Sequence, residues 1–146
     1  MKIEDASASK LGLYLPIIFK DIDQERIDRW ACLSGDFNRL HVDPEYAKKT
    51  PFKGTIAHGP MSLAFLNELM MQTNGAKWVK CGRLLDVRFR APIRPGERVK
   101  IAGSFKEKVL ANGRLWAEWE VFIEKPNGEV AVTGVARLPM EEGDEA

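Results

Sequence analysis

The chain has 146 residues, 45% of them hydrophobic, with 22 Lys+Arg against 21 Asp+Glu and a formal charge of +1. That length suits one domain, and the apolar share suffices for a sizeable core. The even charge balance excludes the basic excess of a nucleic-acid footprint. The apolar run 11–19 is too short to span a membrane and lacks a signal-peptide cleavage pattern, so the reading is no nucleic acid, no membrane and a cytoplasmic location.

Residues 1–10 and 141–146 are polar and predict flexible ends to a domain covering 1–146. Leu13, Leu15 and Ile17 alternate, which predicts a strand over 11–19. Asp21 offers a helix N-cap, with Gln24 three residues on as in a capping box. Ile27, Trp30, Ala31 and Leu33 then form an apolar stripe, and Gly35 stops the helix. Asp43-Pro44 reads as cap and first residue of a short helix to about Lys48. Met61 to Met71 is apolar on nearly all sides, the mark of a buried helix whose methionines fill a core.

After Asn74-Gly75 the period changes to two. Leu85, Val87, Phe89 and Ala91 share a face, then Pro95-Gly96 turns the chain. Val99, Ile101, Gly103 and Phe105 alternate, and Asn112-Gly113 signals a hairpin. Leu115 to Ile123 alternates, Asn127-Gly128 turns again, and Val130 to Leu138 completes the set. The class is α+β, with a long buried helix wrapped by a curved antiparallel sheet. This suggests the hot-dog fold. One such sheet leaves an edge and part of a face uncovered, which predicts a dimer.

The chemistry concentrates in one segment. The chain has two histidines. His41 follows Asp36 by five residues in Ser34-Gly35-Asp36-Phe37-Asn38-Arg39-Leu40-His41-Val42-Asp43-Pro44, and His58 precedes Gly59 at the start of the buried helix. An acid, a group that carries protons near neutral pH and free helix-start amides are the parts for adding or removing water beside a carbonyl. Each has a plainer reading. Asp36 alone is a turn residue, His41 alone a structural histidine, His58 a residue that fixes how the chain enters the helix, and Gly59 a site of close packing. Asn38 is divided between bracing the loop and direct contact. Arg88, Arg90 and Arg94 are a solvated strand face or a seat for phosphates. The four tryptophans read as core or interface. Cys32 and Cys81 have no metal-ligand spacing and read as buried or half-buried free thiols. No ligand cluster for a metal is evident.

Asp36-Phe37-Asn38, Leu40-His41-Val42-Asp43-Pro44 and Tyr46-Ala47 together resemble the hydratase motif of MaoC-like (R)-specific enoyl-CoA hydratases. The likeness continues through Phe52–Gly59, the buried helix and Val87-Arg88-Phe89 to Glu97, covering roughly residues 10 to 140. The resemblance implies interconversion of trans-2-enoyl and (R)-3-hydroxyacyl thioesters. It implies that Asp36 and His41 hold and activate the water, that the Gly59 amide meets the thioester oxygen, and that Asn38 supports the pair. It calls for no cofactor beyond the coenzyme A or carrier arm of the substrate. It allows a homodimer or a heterodimer with a second hot-dog chain. Arg39 stands where the family often has proline, and Asn67 puts a polar group on the buried helix. A thioesterase is the competing enzyme, with Glu68 its candidate carboxylate on that helix.

Overall fold

The computed structural model describes residues 12–142 and 144. The first strand, β1, is Ile18–Ile22, and α1 follows at Gln24–Ser34. The strand thus starts later than the alternation of Leu13, Leu15 and Ile17 predicts. Pro16 lies between them and has no N–H to give a ladder, while Ile18–Ile22 pairs with Glu97–Ile101. The same pairing keeps Asp21 in the strand, so the helix cap is Asp23, which accepts from the Arg26 N–H. Along α1, Ile27 and Ala31 are buried and Trp30 half-buried, whereas Leu33 is 79% exposed and not part of the stripe. Cys32 is also exposed, contrary to the expectation of a sheltered thiol; Cys81 is half-buried, and both are free. Gly35 ends α1 in the left-handed region, its N–H bonded to the Ala31 carbonyl.

Two one-turn helices follow, α2 at Arg39–Val42 and α3 at Pro44–Ala47. Asn38 caps the first by accepting from the Leu40 N–H, and Asp43 caps the second by accepting from the Tyr46 N–H. That N–H, and then the Arg39 guanidinium, hold the Asp43 carboxyl below its ordinary value of 3.8. Arg39 also lies over the Tyr46 ring at 4.5 Å, so its side chain is committed to this surface turn.

Helix α4 runs Gly59–Cys81, past the expected stop at Asn74-Gly75. Its path breaks at Gly75 (φ 51°, ψ −137°), a conformation open essentially to glycine, and then resumes. The Trp78 indole N–H donates to Asn67 Oδ1 across the break, and Asn67 also donates to the Leu63 carbonyl. Asn67 therefore fastens the two parts of the helix. Met61, Phe65, Leu66, Leu69 and Met70 are buried, while Met71 on the far side is exposed.

The sheet is antiparallel, in the order β1-β3-β4-β5-β2. Its remaining strands are β2 (Arg83–Phe89), β3 (Glu97–Ala111), β4 (Arg114–Glu124) and β5 (Val130–Pro139). Asn112 and Gly113 both have positive φ, as a two-residue hairpin with the right twist requires. Val99, Ile101, Trp119, Val121, Ile123, Val132, Ala136 and Leu138 form one core with the buried face of α4. This is the hot-dog arrangement. Trp78, Trp116 and Trp119 are buried as expected. In β2 the pairing with β5 slips between Leu85 and Arg88, with Asp86 at φ 51°. That bulge moves Leu85 off the face expected for it, and Leu84, Val87 and Ala91 pack on the core instead.

The expected flexibility of 1–10 lies outside the described residues. Of the acidic end, Asp144 is buried and paired with Lys77 at 2.9 Å, so it is held rather than loose; 143, 145 and 146 lie outside the described residues.

Two outcomes check this packing. Leu66→Ala opens the core under α4 and is expected to cost about 2–5 kcal/mol in urea unfolding; a loss under about 1 kcal/mol would mean that the helix is not seated there. A depressed carboxyl stabilises above its ordinary pKa and loses that contribution as pH falls through its lower folded value. Asp43→Asn should therefore be less stable than the parent at neutral pH, by a margin that narrows below 3.8. A margin independent of pH would contradict the charge-based account.

Candidate functional site

Asp36, His41, His58 and Gly59 come from two segments, the loop before α2 with α2 itself and the entry and first residue of α4, and the structure brings them together. The His41 ring Nδ1 lies 2.8 Å from the Ile56 carbonyl. A carbonyl only accepts, so Nδ1 carries a proton, and the neutral ring then has its lone pair on Nε2. That Nε2 lies 4.0 Å from Asp36 Oδ2. The other carboxylate oxygen, Oδ1, accepts the Asn38 N–H at 3.1 Å. Asn38 thus acts on the pair through its backbone, and its side chain is occupied in capping α2.

His58 is 1% exposed and its Nε2–H donates to the Asp36 carbonyl at 3.0 Å. Its ring stacks on that of His41, centroids 3.9 Å apart and planes 27° from parallel. This supports the plainer reading of His58, as a residue that ties the loop to the helix start. Gly59 is the first residue of α4, followed by Pro60. The first amides of a helix have no intrahelical acceptor, which makes Gly59 N–H available. A Cβ on Gly59 would sit 3.3 Å from the Phe89 ring, so close packing applies there as well.

His41, His58 and Gly59 border a cavity of about 330 Å³, walled otherwise mainly by Phe52, Ile56, Ala57, Phe89, Pro92, Ile93 and Val132, with Ser62 one turn into the helix. Its far wall is braced from outside. The Ala57 N–H donates to the Ile93 carbonyl at 2.8 Å, and the buried Lys125 ammonium donates to the Pro92 carbonyl at 2.8 Å and pairs with Glu97 at 3.3 Å.

Arg90 reaches the cavity rim and lies 3.4 Å from the Thr133 hydroxyl. Arg88 is on the outer face of the sheet, in a separate hollow that Arg90 also borders. Arg94 stands beside Gly54. Glu68 lines no part of the cavity; its carboxylate pairs with Lys20 of β1 at 2.8 Å. No tryptophan lines the cavity.

Asp36, His41 and His58 also place potential ligand atoms within 4.8 Å of one another. The two rings are stacked, so their lone pairs run side by side in neighbouring planes rather than converging on one point. His58 Nε2 already carries a proton toward a carbonyl. This donor set does not fit the tetrahedral geometry of a typical site.

Sequence reasoning missed Gln24, whose amide donates to the His41 carbonyl at 2.8 Å and accepts from the Thr55 hydroxyl at 2.6 Å. It also missed Ser62, which the i, i+3 spacing from Gly59 would have flagged. The walls at Phe52–Ala57 have no periodicity to find them by.

A family model described as a MaoC like domain matches residues 15–118. The chain is 40% identical over 107 residues to 3-hydroxyacyl-thioester dehydratase Z of Mycobacterium tuberculosis, covering 70% of this chain and 71% of that one. Among solved structures, an (R)-hydratase from Aeromonas caviae involved in PHA biosynthesis superposes with a TM-score of 0.72 at 26% identity, covering 93% of this chain and 100% of the other. The ChsH1-ChsH2 complex of Mycobacterium tuberculosis superposes with a TM-score of 0.72 at 18% identity, over 92% and 100%, and shares the fold. With the matched family model spanning most of the sheet and the whole of the His41–Gly59 region, the chain belongs to the MaoC-like dehydratase family.

Proposed function

We propose that the protein is a hydro-lyase that interconverts trans-2-enoyl and (R)-3-hydroxyacyl thioesters by adding or removing water. The observation that carries this is the facing of Asp36 Oδ2 and His41 Nε2 over 4.0 Å, with His41 lining the same cavity as Gly59. Two acceptors at that separation are too far apart to bond each other. Both can accept from one water, whose two O–H groups donate. His41 takes a proton from that water as the oxygen bonds to the β carbon. The electron pair of the double bond moves onto the thioester oxygen, where the Gly59 N–H stabilises the enolate. The proton that left the water is returned to the α carbon, with Asp36 orienting the water and helping to pass the proton on. Dehydration is the same path reversed.

The substrate arrives on its own carrier, coenzyme A or an acyl carrier arm, and the chemistry needs no other cofactor and no metal. Arg90, at the cavity rim, is the arginine best placed to meet the carrier's phosphates, with Arg94 and Arg88 farther out. We place the protein in the cytoplasm, where its two free thiols stay reduced. Among the described helices, none is long and apolar enough to cross a membrane.

Strand β2 pairs on one side with β5 and ends the sheet, and Phe89 on it is 56% exposed. We propose that this edge is covered in a homodimer. The likeness to the ChsH1-ChsH2 complex favours pairing with a second hot-dog chain as the alternative, and this chain, having both Asp36 and His41, would then be the active half. The thioesterase reading loses its candidate carboxylate, because Glu68 is tied to Lys20 away from the cavity.

Purified protein is expected to hydrate crotonyl-CoA to the (R)-alcohol without releasing free thiol. Asp36→Asn and His41→Ala should each lower kcat by about 10²–10⁴-fold with unchanged far-UV circular dichroism. Full activity in both variants would sink the assignment of the pair; free thiol would favour a hydrolase.

A further inference from the structure

The start of α4 supplies few backbone donors to the cavity. Gly59 offers its N–H, but Pro60 has none, and the Met61 N–H is directed to the His58 carbonyl at 3.2 Å. Oxyanion sites work best with donors that converge on the oxygen. The next side chain on the face of Gly59 is Ser62, three residues on. Ser62 is 3% exposed and lines the cavity with His41, His58 and Gly59. Its hydroxyl bonds to no described residue.

That is unusual for a serine inside a helix, which ordinarily turns its hydroxyl back to the carbonyl one turn earlier. Ser34 does so in this chain, donating to the Trp30 carbonyl at 2.7 Å. The Ser62 hydroxyl is not one of the sealed polar atoms that lack a partner; it opens onto the cavity, where an acceptor that enters can take its hydrogen bond. Ser62 is also no nucleophile of a serine–histidine pair, because neither ring is bonded to it; His58 Nδ1 is itself buried without a partner.

We infer that the Ser62 hydroxyl is the second donor to the thioester oxygen, alongside the Gly59 amide. The inference rests on the hydro-lyase reading above. The proton stays on Ser62 throughout. The hydrogen bond strengthens as charge builds on the oxygen during addition and relaxes as the α carbon is protonated. Proline at the second helix position and serine at the fourth then belong together, the hydroxyl standing in for the amide that proline lacks.

The test uses the full chain with crotonyl-CoA for turnover and acetoacetyl-CoA as a probe, whose bound enolate is followed by its ultraviolet absorbance. Ser62→Ala is expected to lower kcat by about 10²-fold with little change in KM, and to weaken the enolate absorbance. Ser62→Thr retains a hydroxyl and should recover most of both. Asp36→Asn should lower kcat by about 10²–10⁴-fold but leave the enolate absorbance, since it touches neither donor. Wild-type kcat and enolate absorbance in Ser62→Ala would overturn the donor role while leaving the hydro-lyase reading intact. An equal loss in the Ala and Thr variants would mean that packing, not the hydroxyl, matters. A parent protein without turnover would overturn both.

Discussion

The hydrogen bond from His41 Nδ1 to the Ile56 carbonyl, 2.8 Å long, is the constraint on which the site depends. It sets the tautomer, and the tautomer sets which nitrogen faces Asp36. Without it the imidazole is free to present a proton where a lone pair is needed. The same bond joins α2 to the segment that leads into α4. Four others hold the seam. His58 donates to the Asp36 carbonyl, the Ile56 N–H to the Leu40 carbonyl at 3.4 Å, and Gln24 spans the His41 carbonyl and the Thr55 hydroxyl. His41 is thus oriented by a backbone carbonyl and the Asp36 carboxylate by a backbone N–H, groups that do not titrate.

The sheet and α4 make that seam possible. The helix is apolar enough at Met61, Phe65, Leu66 and Leu69 to be driven onto the sheet, and its position fixes where Gly59 begins. Ala57, just before it, is bonded to Ile93 at the turn into β3. Lys125, buried at the end of β4, holds the neighbouring Pro92 carbonyl. The cavity therefore has a wall anchored in the core and a mouth formed by short, capped turns. In the proposed reaction, an apolar lining of this kind keeps bulk water from the reacting carbons while the pair holds one water.

Much of this was legible in the sequence because it is local. Asn112-Gly113 demands positive φ, Asp43-Pro44 caps and starts a helix, and the Asp36–His41 spacing lies within one loop and one turn. What was not legible depends on partners far along the chain. The cap falls at Asp23 rather than Asp21 because β1 must pair with Glu97–Ile101. Helix α4 passes Gly75 because Trp78 finds a buried seat and Asn67 to bond. The bulge at Asp86 is set by register with β5, and Leu84 replaces Leu85 in the core in consequence. In the site, Gln24 looked like half of a capping box and became a bridge to His41. Ser62 was hidden in an apolar helix whose pattern said only that it was buried.

The most direct measurement is the tautomer of His41 by nitrogen-15 NMR on histidine-labelled protein. With two histidines in the chain, His58→Gln assigns the signals. The account predicts a neutral ring protonated at Nδ1, with Nε2 showing the shift of a free or water-bonded lone pair. A ring protonated at Nε2, or one averaging between tautomers, would contradict the claim that the Ile56 carbonyl sets His41 as the base.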